Sequence, residues 1–193
     1  MGTTAAEYPT LPFENVAEFE QWMHEHNVTA DGVWIKIAKM ASGIASVTHD
    51  EALDVALCFG WIDGQRNGLD EQYFLQKFTP RRPRSLWSKR NIDKVTQLTE
   101  AGRMQDSGFA EVELAKKDGR WDAAYDSPKN MNVPEDFLRA LEGNNQARAF
   151  FETLNKTNRF SIAWRLETAR TAATRQRRLG VLIEMLEKGE TFH

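Results

Sequence analysis

The spacing of apolar residues changes period along this chain, and that change limits the fold it can adopt. Over residues 32–39, Val33, Ile35 and Ile37 alternate with Trp34, Lys36 and Ala38, the period of two expected of a strand with one buried face. From Val133 onward the recurrence is helical only. Pro134 suits the first turn of a helix holding Phe137, Leu138 and Leu141, and Gly143 suits its end. Helices over 145–154 and 158–172 follow, and a last one over 174–188 carries Leu179, Leu182, Ile183 and Leu186. Strands confined to the first part and helices throughout predict an α+β chain: a small, mostly antiparallel sheet packed by helices, followed by an all-helical C-terminal module. The expected division is an α+β region over 13–121, an irregular linker over 122–132 and the helical module over 133–188.

Local signals fill in the first region. Asn15 can cap a helix carrying Val16, Phe19, Trp22 and Met23, with Glu18 three residues after the cap. Residues 41–43 read as a loop, and Thr48-His49-Asp50-Glu51 is a capping box in which hydroxyl and carboxylate each satisfy a free backbone N–H. The helix it opens holds Leu53, Ala56 and Leu57 and stops at Gly60. Trp61-Ile62-Asp63-Gly64 is then a short strand entering a turn, with residues 72–78 as its partner and the polar stretch 65–71 between them. Ser85 or Ser88 can cap a helix with Ile92, Val95 and Leu98, ending near Gly102, and a shorter helix spans 107–117.

Length and composition exclude several classes. With 193 residues, 41% of them hydrophobic, six Trp and eleven Phe, the chain can fill a real core, so disorder is expected only at the ends. No apolar window approaches the roughly 20 residues of a spanning helix. The first dozen residues lack the basic and apolar parts of a secretory signal, which predicts a cytoplasmic protein. A single cysteine, Cys58, rules out an internal disulfide or a Cys-rich zinc site. A metal would have to use His24, His26, His49, His193 and carboxylates, and His24 and His26 stand two apart on a helix whose neighbours on one face are three or four apart. No metal and no cofactor is therefore assigned.

Charge gives the clearest ligand signal. Residues 77–90 hold six basic residues and no acidic one, in a chain whose formal charge is −3. The motifs around this run, Gly32-Val33-Trp34, Asp50-Glu51-Ala52, Ala56-Leu57-Cys58-Phe59-Gly60-Trp61-Ile62-Asp63-Gly64, Thr79-Pro80-Arg81-Arg82, Ser85-x-Trp87-Ser88-x-x-Asn91, Gly102-Arg103-Met104 and Asp118-Gly119-Arg120-Trp121, resemble those of the YdeI/OmpD-associated family. The stretch from Val133-Pro134 to about Lys188, with Ala169-Arg170 and Thr174-Arg175-x-Arg177-Arg178, is similar to that family's helical C-terminal module. The resemblance spans about 13–188. It implies a bacterial bacteriocin-protection or stress-resistance factor, a phenotype without a settled reaction from which catalytic residues could be transferred.

The residues themselves suggest anion binding. Arg guanidinium groups grip phosphate or carboxylate through a planar fork, Pro80 and Pro83 restrict the loop, and a helix start near Ser88 adds backbone donors. Trp87 could stack on a flat ring. Trp61, Asp63, Arg81, Arg82, Ser85, Trp87, Ser88 and Asn91 form the candidate ligand-binding set, for a small phosphate- or nucleotide-like anion. The plainer alternative has Arg81, Arg82, Arg84, Lys89 and Arg90 pairing with some of the 28 acidic residues and facing water. Asp63 is the one weak candidate for acid/base work, against a turn-forming role for Asp-Gly, and would act beside Arg82 if the protein is an enzyme on a phosphorylated or nucleotide-like substrate. Cys58 reads as a buried small hydrophobe, since His49 is nine residues upstream. Lys36 and Lys39 extend the positive surface or solvate an exposed face. Nucleic acid is disfavoured by an isoelectric point of about 5.9. Arg165, Arg170, Arg175, Arg177 and Arg178 form a second basic group, and the helical module is a possible surface for a protein partner.

Overall fold

The computed structural model describes residues 8–126 and 132–192, so Met1, residues 2–7, the 127–131 part of the expected linker and His193 lie outside the described residues. The chain forms two compact units. One takes the residues up to Trp87 together with Asn91–Ala123; the other takes Ser88–Arg90 and the residues from Ala124 onward.

The first unit is built on a sheet of β1 (Thr10–Pro12), β2 (Val33–Ala38), β3 (Trp61–Gly68) and β4 (Tyr73–Pro80), ordered β1-β2-β4-β3. β1 runs parallel to β2, and the other pairings are antiparallel. Helices α1 (Val16–His26) and α2 (His49–Cys58) fill the chain between strands, and α3 (Lys89–Glu100) and α4 (Asp106–Lys117) follow β4. The caps expected at the starts of α1 and α2 are made. The Asn15 side chain accepts from Glu18 N at 3.1 Å, and Thr48 and Glu51 close the capping box at the start of α2. Val33, Ile35 and Ile37 face the helices with Phe78, whose ring meets Phe19 of α1 at 5.8 Å.

Two parts of the sheet differ from the sequence reading. β1 has only three residues and no alternation long enough to announce it; it exists because β2 offers a free edge, with Trp34 N donating to Pro9 O at 2.9 Å. β3 continues through the polar residues to Gly68, with a bulge between Asp63 and Arg66. Gln76, 2% exposed, makes this possible by donating to Gly64 O at 2.9 Å while its carbonyl accepts from Arg66 Nε at 3.0 Å. Polar strand residues are stable here because their backbone is satisfied through the bulge.

In the second unit α5 (Glu135–Glu142), α6 (Asn145–Thr153), α7 (Lys156–Glu167) and α8 (Ala172–Glu187) pack around Phe137, Leu141, Phe151, Ile162, Leu166, Leu182 and Leu186. The α7 and α8 limits differ from the periodicity because caps set them: Asn155 accepts from Asn158 N at 2.9 Å and Thr171 from Thr174 N at 3.1 Å. The C-terminal arginines are partly structural. Arg175 binds Asp136 through Nε and Nη2, both at 2.8 Å, and Arg178 donates to Arg165 O at 2.6 Å. Arg170 and Arg177 stay exposed. No helix among the described residues is long and apolar enough to cross a membrane.

Candidate functional site

The basic segment leaves β4 as a tight turn. Ser85 N donates to Arg82 O at 2.9 Å, and Arg82 N donates to Ser85 Oγ at 3.0 Å. Pro83 holds the second position and Arg84, at φ 75°, the third, the type II pattern in which glycine is the usual occupant of that third place. A side chain in this left-handed region is strained by roughly 1 kcal/mol.

Two arginines brace the turn from inside. Arg81 is 5% exposed; its backbone N–H donates to Gly60 O at 3.1 Å and its Nη1 to Leu86 O at 3.2 Å. Its guanidinium lies 3.6 Å from the Trp87 ring centre, and Trp121 packs against the same indole at 5.0 Å. Arg120 is also buried. It donates Nη1 to Ser85 O at 3.0 Å and Nε to both Asp118 oxygens at 2.8 Å. Each guanidinium donates to a carbonyl of the loop, Arg81 to Leu86 and Arg120 to Ser85, and so ties the loop's shape to the buried side of the turn. Arg82 and Arg84 point the other way in energetic terms: both are exposed, and neither side chain forms a hydrogen bond or ion pair among the described residues.

The remaining candidates are distributed differently. Trp61 is 1% exposed, with its indole Nε1 donating to Asn27 O at 3.1 Å, and Trp87 is 2% exposed, so both large rings belong to the core. Asn91 is buried early in α3. Ser88 forms an isolated parallel bridge with Tyr125, while Lys89 N donates to Tyr125 O at 2.9 Å, which occupies one of the backbone donors at the start of α3. Lys89 itself pairs with Asp126.

Asp63 pairs with a histidine rather than an arginine. His49 Nε2, at the first turn of α2, lies 3.2 Å from Asp63 Oδ2, and both side chains are partly exposed. Sequence spacing relates His49 to Cys58 and to the other histidines but not to Asp63, because 14 residues and a strand start separate them; the contact needs the tertiary fold. Arg120 stands in the Asp118-Gly119-Arg120-Trp121 motif, but nothing in the sequence ties it to the turn at Ser85, 35 residues away. Cys58 is fully buried, and loss of solvent pushes its thiol up to about 11, so it cannot act as a thiolate near neutrality. Among the described residues no group of three His, Cys, Asp or Glu is placed to hold a metal.

Residues 11–111, just over half of the 193, match the family model described as Domain of unknown function (DUF8412). Residues 130–189 match the one described as Bacteriocin-protection, YdeI or OmpD-Associated. This is a DUF8412-family chain carrying a YdeI/OmpD-associated domain. The resemblance seen over about 13–188 is thus supported by the second match at its helical end, whereas the braced turn and the His49–Asp63 pair fall in the DUF8412 segment. No curated protein and no solved structure gives a significant match.

Proposed function

We propose that this DUF8412/YdeI-associated chain is a cytoplasmic protection factor that binds a small phosphate-like anion through Arg82 and Arg84. One observation carries the reading: two exposed guanidinium groups, without a hydrogen bond or ion pair among the described residues, stand on a turn braced by buried Arg81 and Arg120 and held at a positive φ in Arg84. A preorganised turn loses little entropy on binding, and paired arginines suit a phosphate's spread of oxygens. Arg81, Ser85 and Trp87 support the turn in this reading, and Ser88, Asn91 and Trp61 belong to its surroundings.

Titration calorimetry with inorganic pyrophosphate and with ATP tests it. Arg82→Ala and Arg84→Ala should each weaken binding about tenfold or more, as expected for loss of a charge-assisted contact. Equal binding by wild type and both variants would overturn the reading.

An enzyme acting on a phosphorylated or nucleotide-like substrate is a second reading, favoured by the His49–Asp63 contact of 3.2 Å. A carboxylate that orients an imidazole through one nitrogen leaves the other for proton transfer near neutrality. Under this reading Asp63→Asn loses turnover and keeps ligand affinity. Wild-type binding with no turnover of phosphorylated substrates counts against it.

A further inference from the structure

The sheet of the first unit has a second face, and its chemistry differs from the first. The antiparallel register sets Trp34 opposite Lys77, Lys36 opposite Leu75 and Ala38 opposite Tyr73, so these side chains share the face turned away from Val33, Ile35 and Phe78. Trp34, Lys36, Tyr73, Leu75 and Lys77 are half-buried, as is Tyr8 beside them. The cations lie on the rings. Lys36 Nζ is 3.9 Å from the Tyr73 ring centre, and Lys77 Nζ is 4.6 Å from that of Tyr8 and 5.7 Å from that of Trp34.

Among the described strand residues, charge on this face has one sign. β1, β2 and β4 contain no Asp or Glu at all, although the chain as a whole has a formal charge of −3. Asp63 of β3 pairs in register with Phe78 and lies on the helix side. The carboxylate that feels Lys36 and Lys39 is Asp70, in the turn before β4, and its Oδ1 already accepts from Gln72 N at 2.8 Å and Tyr73 N at 2.7 Å. A purely solvated face would be expected to mix both signs. Here aromatic rings alternate with lysines, the combination that stacks bases and neutralises the phosphates between them.

Spacing decides between one base and several. Trp34 and Tyr73 stand four register positions apart on neighbouring strands, roughly 13 Å along the strand direction. One nucleotide cannot reach both rings; an extended strand can. We propose that this sheet face is a docking platform for single-stranded nucleic acid, its bases displacing Lys36 and Lys77 from the rings and its phosphates taking up the same ammonium groups. The isoelectric point of about 5.9 argues against a nucleic-acid binder only if the charge is spread evenly, and the strand composition shows that it is not.

Fluorescence anisotropy of the full chain with an end-labelled oligothymidylate of about twelve nucleotides tests the platform. Binding is expected, weakened about tenfold by Trp34→Ala and by Tyr73→Ala and retained by Trp34→Phe, which keeps a stacking ring where Trp34→Ala also risks the fold. In Lys36→Ala/Lys77→Ala the slope of log affinity on log salt should become shallower by about 1.4, the share of two phosphates on a single strand. No binding at low salt, unchanged binding in the Trp34, Tyr73 and lysine variants, or equal competition by thymidine monophosphate or polyglutamate would each overturn the proposal.

Discussion

Arg84 shows how one residue can carry both strain and exposure. Its φ of 75° suits glycine, and among the described residues its side chain has no hydrogen bond or ion pair in exchange. Arg84→Gly should therefore raise stability by up to about 0.5 kcal/mol, after the greater freedom of glycine in the unfolded chain offsets much of the relief. Urea unfolding of the two proteins gives this difference directly, and a loss of stability would mean that the arginine side chain supports the turn. The neighbouring Arg81 cannot be read this way. Its charge is buried against Trp87, so a residue that looks like part of a basic ligand site in sequence is a strut in the fold.

At the level of elements, the closest fit is where α4 crosses the end of α2. A Cβ added at Gly108 would stand 2.1 Å from Cys58 O, a backbone atom that cannot rotate away, and Gln105 N already donates to that oxygen at 3.0 Å. Gly108→Ala should cost about 3 kcal/mol and lower the thermal midpoint by several degrees, whereas Gly180→Ala on α8, where the new Cβ meets nothing within 4 Å, should gain stability by helix propensity. The second unit has its own sensitivity, to acid. The Arg175 guanidinium on Asp136 holds that carboxyl below its usual range and raises the arginine in turn. A carboxylate depressed in the folded state contributes stability above its unfolded value near 3.9 and loses it as pH falls through the folded value. Asp136→Asn should cost up to about 1 kcal/mol at pH 7, the upper range for a partly exposed pair. Urea midpoints measured at descending pH should converge with those of wild type as pH falls below about 4; a constant gap would mean that the cost of Asp136→Asn does not come from the carboxylate's charge.

For the molecule as a whole, the elements that announce themselves over one or two turns were legible in the residues. The period-two run of β2, the capping box of α2 and the helical repeat after Val133 are local, because the residues that satisfy one another lie within four positions in the chain. They determine an α+β chain with a helical end, and the ordered motifs of that end agree with the YdeI/OmpD-associated match over 130–189. Local signals failed where the partner is distant. Three-residue β1 exists only because β2 has an edge to pair with, and β3 outlasts its polar sequence only because Gln76 reaches across the bulge. The candidate site divides in the same way. Six basic residues in 77–90 mark a positive segment from sequence alone, but which arginines are buried depends on Trp87, Arg120 and Gly60 meeting there. The His49–Asp63 contact and the lysine-and-aromatic face of the sheet belong wholly to the tertiary structure. Sequence fixes which side chains alternate along a strand, while register across strands decides which of them share a face, and burial decides which of those still reach solvent.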